Sequence, residues 1–300
     1  FWREVKRNRE ISTWNYIDKR VDGIINQSGL LTGIRGIKPP LRLSLEPYLS
    51  GNTEKNPETD WSFRASYGAD VKLGLSESFT LDMTLIPDFG QVESDDIIID
   101  LSPFEVYYSE KRQFFTEGTE LFSRGDIFYS RRIGTTPVGL GDVYDDYDSV
   151  VKSTLETQLI NASKVSGRTG KGLGVGVFNA ITAPAKATVA DSSGSNTEEV
   201  VIQPLTNYNM VVFDQSFRNN SFVSAYNTNV YMGDFYRTAN VSGTQFRLAN
   251  KSNTYAVSGL YNISQKYSSD KAPEFGHKYT IKLDKISGNF LGGMWQRVET

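Results

Sequence analysis

The chain of 300 residues has no cysteine and a single histidine, His277. Disulfides, thiolate metal sites and cysteine nucleophiles are therefore absent, and a histidine-based triad or zinc site has no basis. A basic excess is missing too. Its 32 Lys and Arg stand against 35 Asp and Glu, a net charge of -3, so no positive field exists to attract nucleic acid. No run approaches the roughly 20 apolar residues of a membrane helix, and no repeat of fixed period suggests a propeller or solenoid.

What the chain has instead is alternation. Trp61, Phe63, Ala65, Tyr67, Ala69, Val71, Leu73 and Leu75 alternate with Ser62, Arg64, Ser66, Gly68, Asp70, Lys72 and Gly74. Successive strand side chains point to opposite faces, so one face suits an apolar medium and the other carries charge. The run is longer than an ordinary strand of about 5 to 6 residues and long enough for a membrane-spanning strand of about 9 to 11. Leu41, Leu43, Leu45 and Leu49 repeat the pattern, as do Phe79, Leu81, Met83 and Leu85, then Tyr255, Val257, Tyr261, Ile263 and Tyr267, then Tyr279, Ile281 and Leu283. About a dozen such runs predict an all-β fold, an antiparallel transmembrane β-barrel that is incomplete here, with a long loop folded inward. The 16 Tyr and 17 Phe suit aromatic girdles at the two membrane interfaces.

The predicted layout has four parts. Residues 1–24 read as the tail of a preceding β-sandwich and 25–40, rich in Gly and ending Pro39-Pro40, as a linker. Residues 41–300 read as the N-terminal portion of the barrel, with 87–150 as a loop or plug. The chain starts Phe1-Trp2-Arg3 and ends in what reads as mid-strand, the pattern expected of an internal piece. Turn signals lie at Gly167–Gly170, Ser192–Asn196, Arg218–Ser221, Asn250–Asn253 and Ser268–Pro273.

Leu31-Thr32-Gly33-Ile34-Arg35-Gly36-Ile37-Lys38-Pro39-Pro40, Leu45-Glu46-Pro47-Tyr48 and Tyr67-Gly68-Ala69-Asp70-Val71-Lys72 carry a resemblance. It continues in Pro87-Asp88-Phe89-Gly90-Gln91-Val92-Glu93, Glu110-Lys111-Arg112-Gln113-Phe114-Phe115 and Phe128-Tyr129-Ser130-Arg131-Arg132-Ile133-Gly134. This set resembles the DUF5916 family of Bacteroidota outer-membrane proteins. The resemblance implies a β-sandwich similar to family 9 carbohydrate-binding modules, followed by an outer-membrane barrel. It further implies outer-membrane lipids as surroundings, with a glycan, through the preceding domain, and envelope proteins as partners.

The interruption from Asp88 to Arg132 is dense in charge and interleaved with Phe104, Tyr107, Tyr108, Phe114, Phe115, Phe122, Phe128 and Tyr129. A structureless loop of that length is uncommon unless functional. One reading makes its carboxylates a glycosidase acid/base pair, and another lets Asp95 and Asp96 hold Ca²⁺. The third is an inward-folded plug. Its candidate luminal network is Glu110, Lys111, Arg112, Glu117, Arg131 and Arg132, pairing among themselves and with wall charges such as Arg64 and Asp70. Those six loop residues hold two carboxylates and four cations, so wall acids such as Asp70, Asp82 and Glu46 are expected to complete the pairing.

Other motifs dissolve. Ser166-Gly167-Arg168-Thr169-Gly170-Lys171-Gly172 lacks the Ser or Thr a phosphate loop needs after its lysine, and reads as a hairpin turn. Gly172, Gly174 and Gly176 alternate with Leu173, Val175 and Val177, which predicts a strand whose inner face lets another segment press close. His277 reads as a loop residue, and the acidic stretch Asp142–Asp148, without EF-hand spacing, as solvated loop charge. No catalytic residue, metal or cofactor is assigned. The function expected is an outer-membrane pore, transporter or envelope assembly component linked to glycan handling. A glycan-binding surface β-protein and a carbohydrate-active hydrolase are the alternatives.

Overall fold

The computed structural model describes residues 2–18, 27–29, 31–33, 41–55, 61–87, 106–147, 149–190, 196–233, 238–269 and 271–300. A short antiparallel hairpin, β1 (Trp2–Val5) and β2 (Glu10–Thr13), comes first. The fold is otherwise one large antiparallel sheet and one small one. The large sheet contains β3 (Leu43–Glu54), β4 (Ser62–Gly74), β5 (Phe79–Leu85), β7 (Leu159–Arg168), β8 (Leu173–Thr182), β11 (Thr206–Phe217), β12 (Ser221–Tyr231), β13 (Thr238–Ala249), β14 (Tyr255–Tyr267), β15 (Glu274–Lys285) and β16 (Gly292–Glu299). These eleven strands pair as a meander in chain order, with β3 and β16 at the two edges. The expected all-β class is the one the chain adopts.

The small sheet holds β6 (Ser149–Ser153), β9 (Ala185–Ala190) and β10 (Thr197–Gln203), in the order β10-β9-β6. It prolongs the β8–β11 hairpin beyond the large sheet. Proline donates no backbone hydrogen bond to a ladder, and Pro184 and Pro204 fall between the two sheets, where the pairing is interrupted. Helix α2 (Leu140–Asp146) covers this extension, packing Val143 against Ala185, Ala187, Val189 and Ile202.

Register fixes which residues share a face. Val71 pairs with Leu45 and Met83, and Leu81 with Leu73 and Val165. On the opposite face Asp82 lies between Lys72 and Lys164. The described segment 106–139 packs on that second face, here called inward. The inward face carries Glu46, Asp70, Lys72, Asp82, Lys164, Arg168, Asp214, Arg247, Lys266, Lys278, Lys282 and Arg297, among others. Among the described side chains of these strands, only Lys285 puts an acid or a Lys or Arg on the outward face, and it is the last residue of β15. Arg64 belongs to β4, but its side chain lies outside the described residues.

The two ends of the sheet also differ. At one end the connections are 75–78, 169–172, 218–220, 250–254 and 286–291, each three to six residues. At the other they are 55–61, 86–158, 183–205, 232–237 and 268–273, which include both long excursions. His277 is the fourth residue of β15, on the outward face, rather than a loop residue as its flanking glycine suggests.

Candidate functional site: a segment docked on the inward face

The segment 106–139 has little regular structure, only α1 (Gln113–Thr116) and two single 3-10 turns at Arg124–Asp126 and Ser130–Arg132. Its shape is held from within by Arg112. That guanidinium donates to both carboxylate oxygens of Glu110, at 2.9 and 2.8 Å, and to the carbonyls of Ile133 and Ser130, at 2.6 and 2.7 Å. Ser130 Oγ donates to the same carboxylate at 2.6 Å, and the guanidinium stacks 4.3 Å from the Phe115 ring centre. One planar cation thus clamps two stretches of chain, 110–115 and 130–133, a geometry Arg offers and Lys does not. Burial pushes the Glu110 carboxyl up, but the hydrogen bonds from Arg112 and Ser130 outweigh it and hold it below the usual range.

The docking surface is apolar at its centre. Phe115, Leu121, Phe122 and Ile133 of the segment are buried with Ala162, Phe178, Ala180, Met210, Val212 and Tyr226 of the sheet, and Phe114, Ile127 and Phe128 pack at the margin. The glycine alternation of β8 has its reason here. A Cβ on Gly174 would come within 2.8 Å of the Leu121 side chain, and one on Gly176 within 3.2 Å of the Phe122 ring. Gly125, with φ of 74°, is pressed on Tyr226 so closely that any side chain would strike the ring. Its N–H donates to Gln245 Oε1 at 3.1 Å, and its carbonyl accepts from Asn262 Nδ2 at 3.3 Å.

Charge pins both flanks. On one, Asp214 of β11 is fully buried and meets Arg124 of the segment at 2.9 Å and Arg168 of β7 at 2.7 Å. Glu120 joins Arg168 at 2.9 Å, Ser224 donates to Asp214 at 2.5 Å, and Arg124 lies over the Phe222 ring at 4.1 Å. On the other flank Glu117 pairs with Lys72 of β4 at 2.6 Å, and Lys164 of β7 donates to the carbonyls of Phe114 and Glu117 while sitting 4.3 Å from the Phe114 ring. The hydrogen bond from Lys72, then that from Gln113, lowers the pKa of the Glu117 carboxyl.

Of the residues singled out in sequence, Glu110 and Arg112 meet each other and Glu117 meets a wall cation. Lys111 and Arg131 are half-buried, Arg132 is exposed over Tyr129 at 5.8 Å, and Asp70 is exposed on the inward face. Among the described residues the wall charges that receive the segment are Lys72, Lys164, Arg168 and Asp214 rather than Asp70 or Glu46. Asp214, Arg124 and Arg168 were missed. A lone acid in the otherwise uncharged strand 206–217 was the available signal. Asp95 and Asp96 lie outside the described residues, and no cluster of metal-ligating side chains occurs among the described ones. Glu110, Glu117 and Glu120 each turn onto a cation rather than converging on a cleft.

The chain matches the family described as "Domain of unknown function (DUF5916)" over residues 39–300, and it belongs to that family. Curated protein sequences give no match. Among solved structures it is similar to OmpT, an outer membrane protein of Vibrio cholerae, in its in-vitro folded form, with 12% identity, 86% of each chain covered and a TM-score of 0.32. The loop L8 deletion mutant of OmpT gives 10% identity and the same TM-score of 0.32, over 86% of this chain and 93% of that one.

Proposed function

We propose that this chain forms the wall and the inward-folded plug of an outer-membrane β-barrel, in which the docked segment obstructs the lumen and governs passage. The observation that carries the reading is the segregation of charge by sheet face across eleven strands. A soluble β-protein buries its apolar face under a second layer. Here the apolar face is the exposed one, with Phe63 71%, Phe213 52% and Ile281 57% accessible. Aromatic residues gather at both ends of that outward face: Phe63, Tyr231, Tyr267 and Phe275 toward the long connections, and Phe79, Phe217 and Tyr255 toward the short ones. Two girdles around an apolar band, short turns below and long loops above, are the design of such barrels. By the same rule the long connections face the cell exterior, and the plug enters from there.

The inward faces of β15 and β16 lie away from the docked segment and carry charges of both signs with Thr280 and Trp295, a lining suited to water. The test is conductance. Deleting residues 106–132 from the full-length protein is expected to raise single-channel conductance in planar bilayers while heat-modifiable gel migration stays that of a folded barrel. Unchanged conductance with intact folding overturns the plug.

A further inference from the structure

One stripe breaks the rule that the outward face is apolar. Asn179 of β8, Asn207 and Asn209 of β11, Asn227 and Asn229 of β12, Asn240 of β13 and Gln265 of β14 all take outward positions, and Asn179, Asn209, Asn229, Asn240 and Gln265 are cross-strand partners in one row over five strands. Their side chains are hydrogen-bonded in two groups, one on β8 and β11 and one on β12 to β14. Asn179 donates to Asn207 at 2.7 Å and Asn209 at 2.8 Å, Asn227 to Asn240 at 2.9 Å and Ser242 at 2.8 Å, and Asn240 to Gln265 at 3.4 Å. Tyr267 adds a donor to Gln265 at 3.3 Å, and Tyr261 with His277 forms a second polar pair beside it at 2.9 Å.

A carboxamide offers two N–H donors and two acceptor sites, so a row bonded side to side still presents hydrogen-bonding capacity outward, and these residues are half-buried rather than covered. Such a row is not tolerated in hydrocarbon, where an unmet polar group is costly. Its height agrees. From Tyr255 to Gln265 is about 33 Å along β14 at 3.3 Å per residue, or about 25 Å along the membrane normal at a tilt near 40°. The stripe therefore lies at the top of the apolar band, on the side of the long connections, at the level of the outer leaflet's headgroups.

We propose that this stripe binds the saccharide headgroup of an outer-leaflet glycolipid, a reading that rests on the barrel proposed above. The chemistry is matched by neutrality. Outward positions of β8 and β11 to β14 carry no Asp, Glu, Lys or Arg, so the surface offers no cation to pair with a phosphate, whereas a row of amides flanked by tyrosines pairs with sugar hydroxyls and lays rings against sugar faces.

The experiment compares the full-length protein with the triple variant Asn209→Leu, Asn227→Leu, Asn240→Leu in detergent. Native mass spectrometry reads binding of rough-type lipopolysaccharide against phosphatidylethanolamine. The wild type is expected to prefer the lipopolysaccharide and the variant to lose that preference by about tenfold or more. An unchanged preference overturns the proposal. So does a variant whose only change is from oligomer to monomer in light scattering, which assigns the stripe to contact between copies. The conservative Asn209→Gln, Asn227→Gln, Asn240→Gln variant guards against misfolding: it should keep the preference, and losing it while folded overturns the hydroxyl-pairing chemistry. Failure of the wild type to fractionate with outer membranes sinks the barrel itself, a result distinct from loss of the stripe's role alone.

Discussion

The inward faces of β8 and β11 and of β15 and β16 obey one alternation and end up chemically opposite. Under the docked segment the inward residues are Gly174, Gly176, Phe178, Ala180, Met210 and Val212, with Asp214 the single charge. Away from it they are Lys278, Thr280, Lys282, Asp284, Trp295 and Arg297. In these four strands the inward positions are mainly polar away from the segment and mainly small or apolar beneath it. Apart from the asparagine stripe on β8 and β11, the outward face is mainly apolar in both regions.

The sharpest way to break that comparison is Asp214→Ala. It strands two guanidiniums against a buried gap, and removing one partner of a buried pair costs about 3 to 5 kcal/mol. Asp70→Asn, on the uncovered inward face, is expected to stay within about 0.5 kcal/mol. Urea titration of gel-shift folding measures both, and equal effects would erase the distinction. Next in size, Ala69→Arg on the outward face of β4 is expected to cost about 2 to 4 kcal/mol near mid-membrane, and Ser66→Arg on the inward face far less. Equal losses of folded barrel would refute the assignment of faces.

Gly176→Val tests the seat alone. Overpacking it against Phe122 should cost about 1 to 3 kcal/mol and raise protease access to the 106–139 segment, whereas Gly276→Val, near Ser264 and away from the segment, should leave that access unchanged. The smallest effect is acid release. The Glu110 carboxyl is lowered in the folded segment, so its contribution to the segment's shape is present above the usual carboxylate value of about 4.3 and disappears as pH falls through the folded value. Channel conductance should hold from about pH 7 down to the usual carboxylate value of about 4.3 and rise only below it. A Glu110→Gln variant should show a smaller step, the remainder coming from Glu117 on Lys72.

Legibility in the sequence followed the same division. β4, β5, β14 and β15 read directly because one parity is charged or polar and the other apolar. In β11 the run Met210-Val211-Val212-Phe213 is apolar on both faces, and the period of two vanishes where the segment docks. The glycines of β8 were readable as a close approach, since absent side chains leave a pattern of their own. The asparagine stripe was not readable, because scattered amides in five strands become one row only once the register is known. The pairing of Glu110 with Arg112 was local in sequence, whereas Asp214 reaches its partners across long separations.

Gly125 contacts Gln245 and Asn262, which follow it by 120 and 137 residues. The segment is therefore synthesised well before its seat exists, and contacts so distant in the chain form late. Until β13 and β14 join the sheet, Gly125 lacks both of those partners, although the apolar seat of Phe115, Leu121 and Phe122 on β7, β8, β11 and β12 is already in place. On the plug reading proposed above, the seal is complete only once the strands that carry Gln245 and Asn262 have joined the wall.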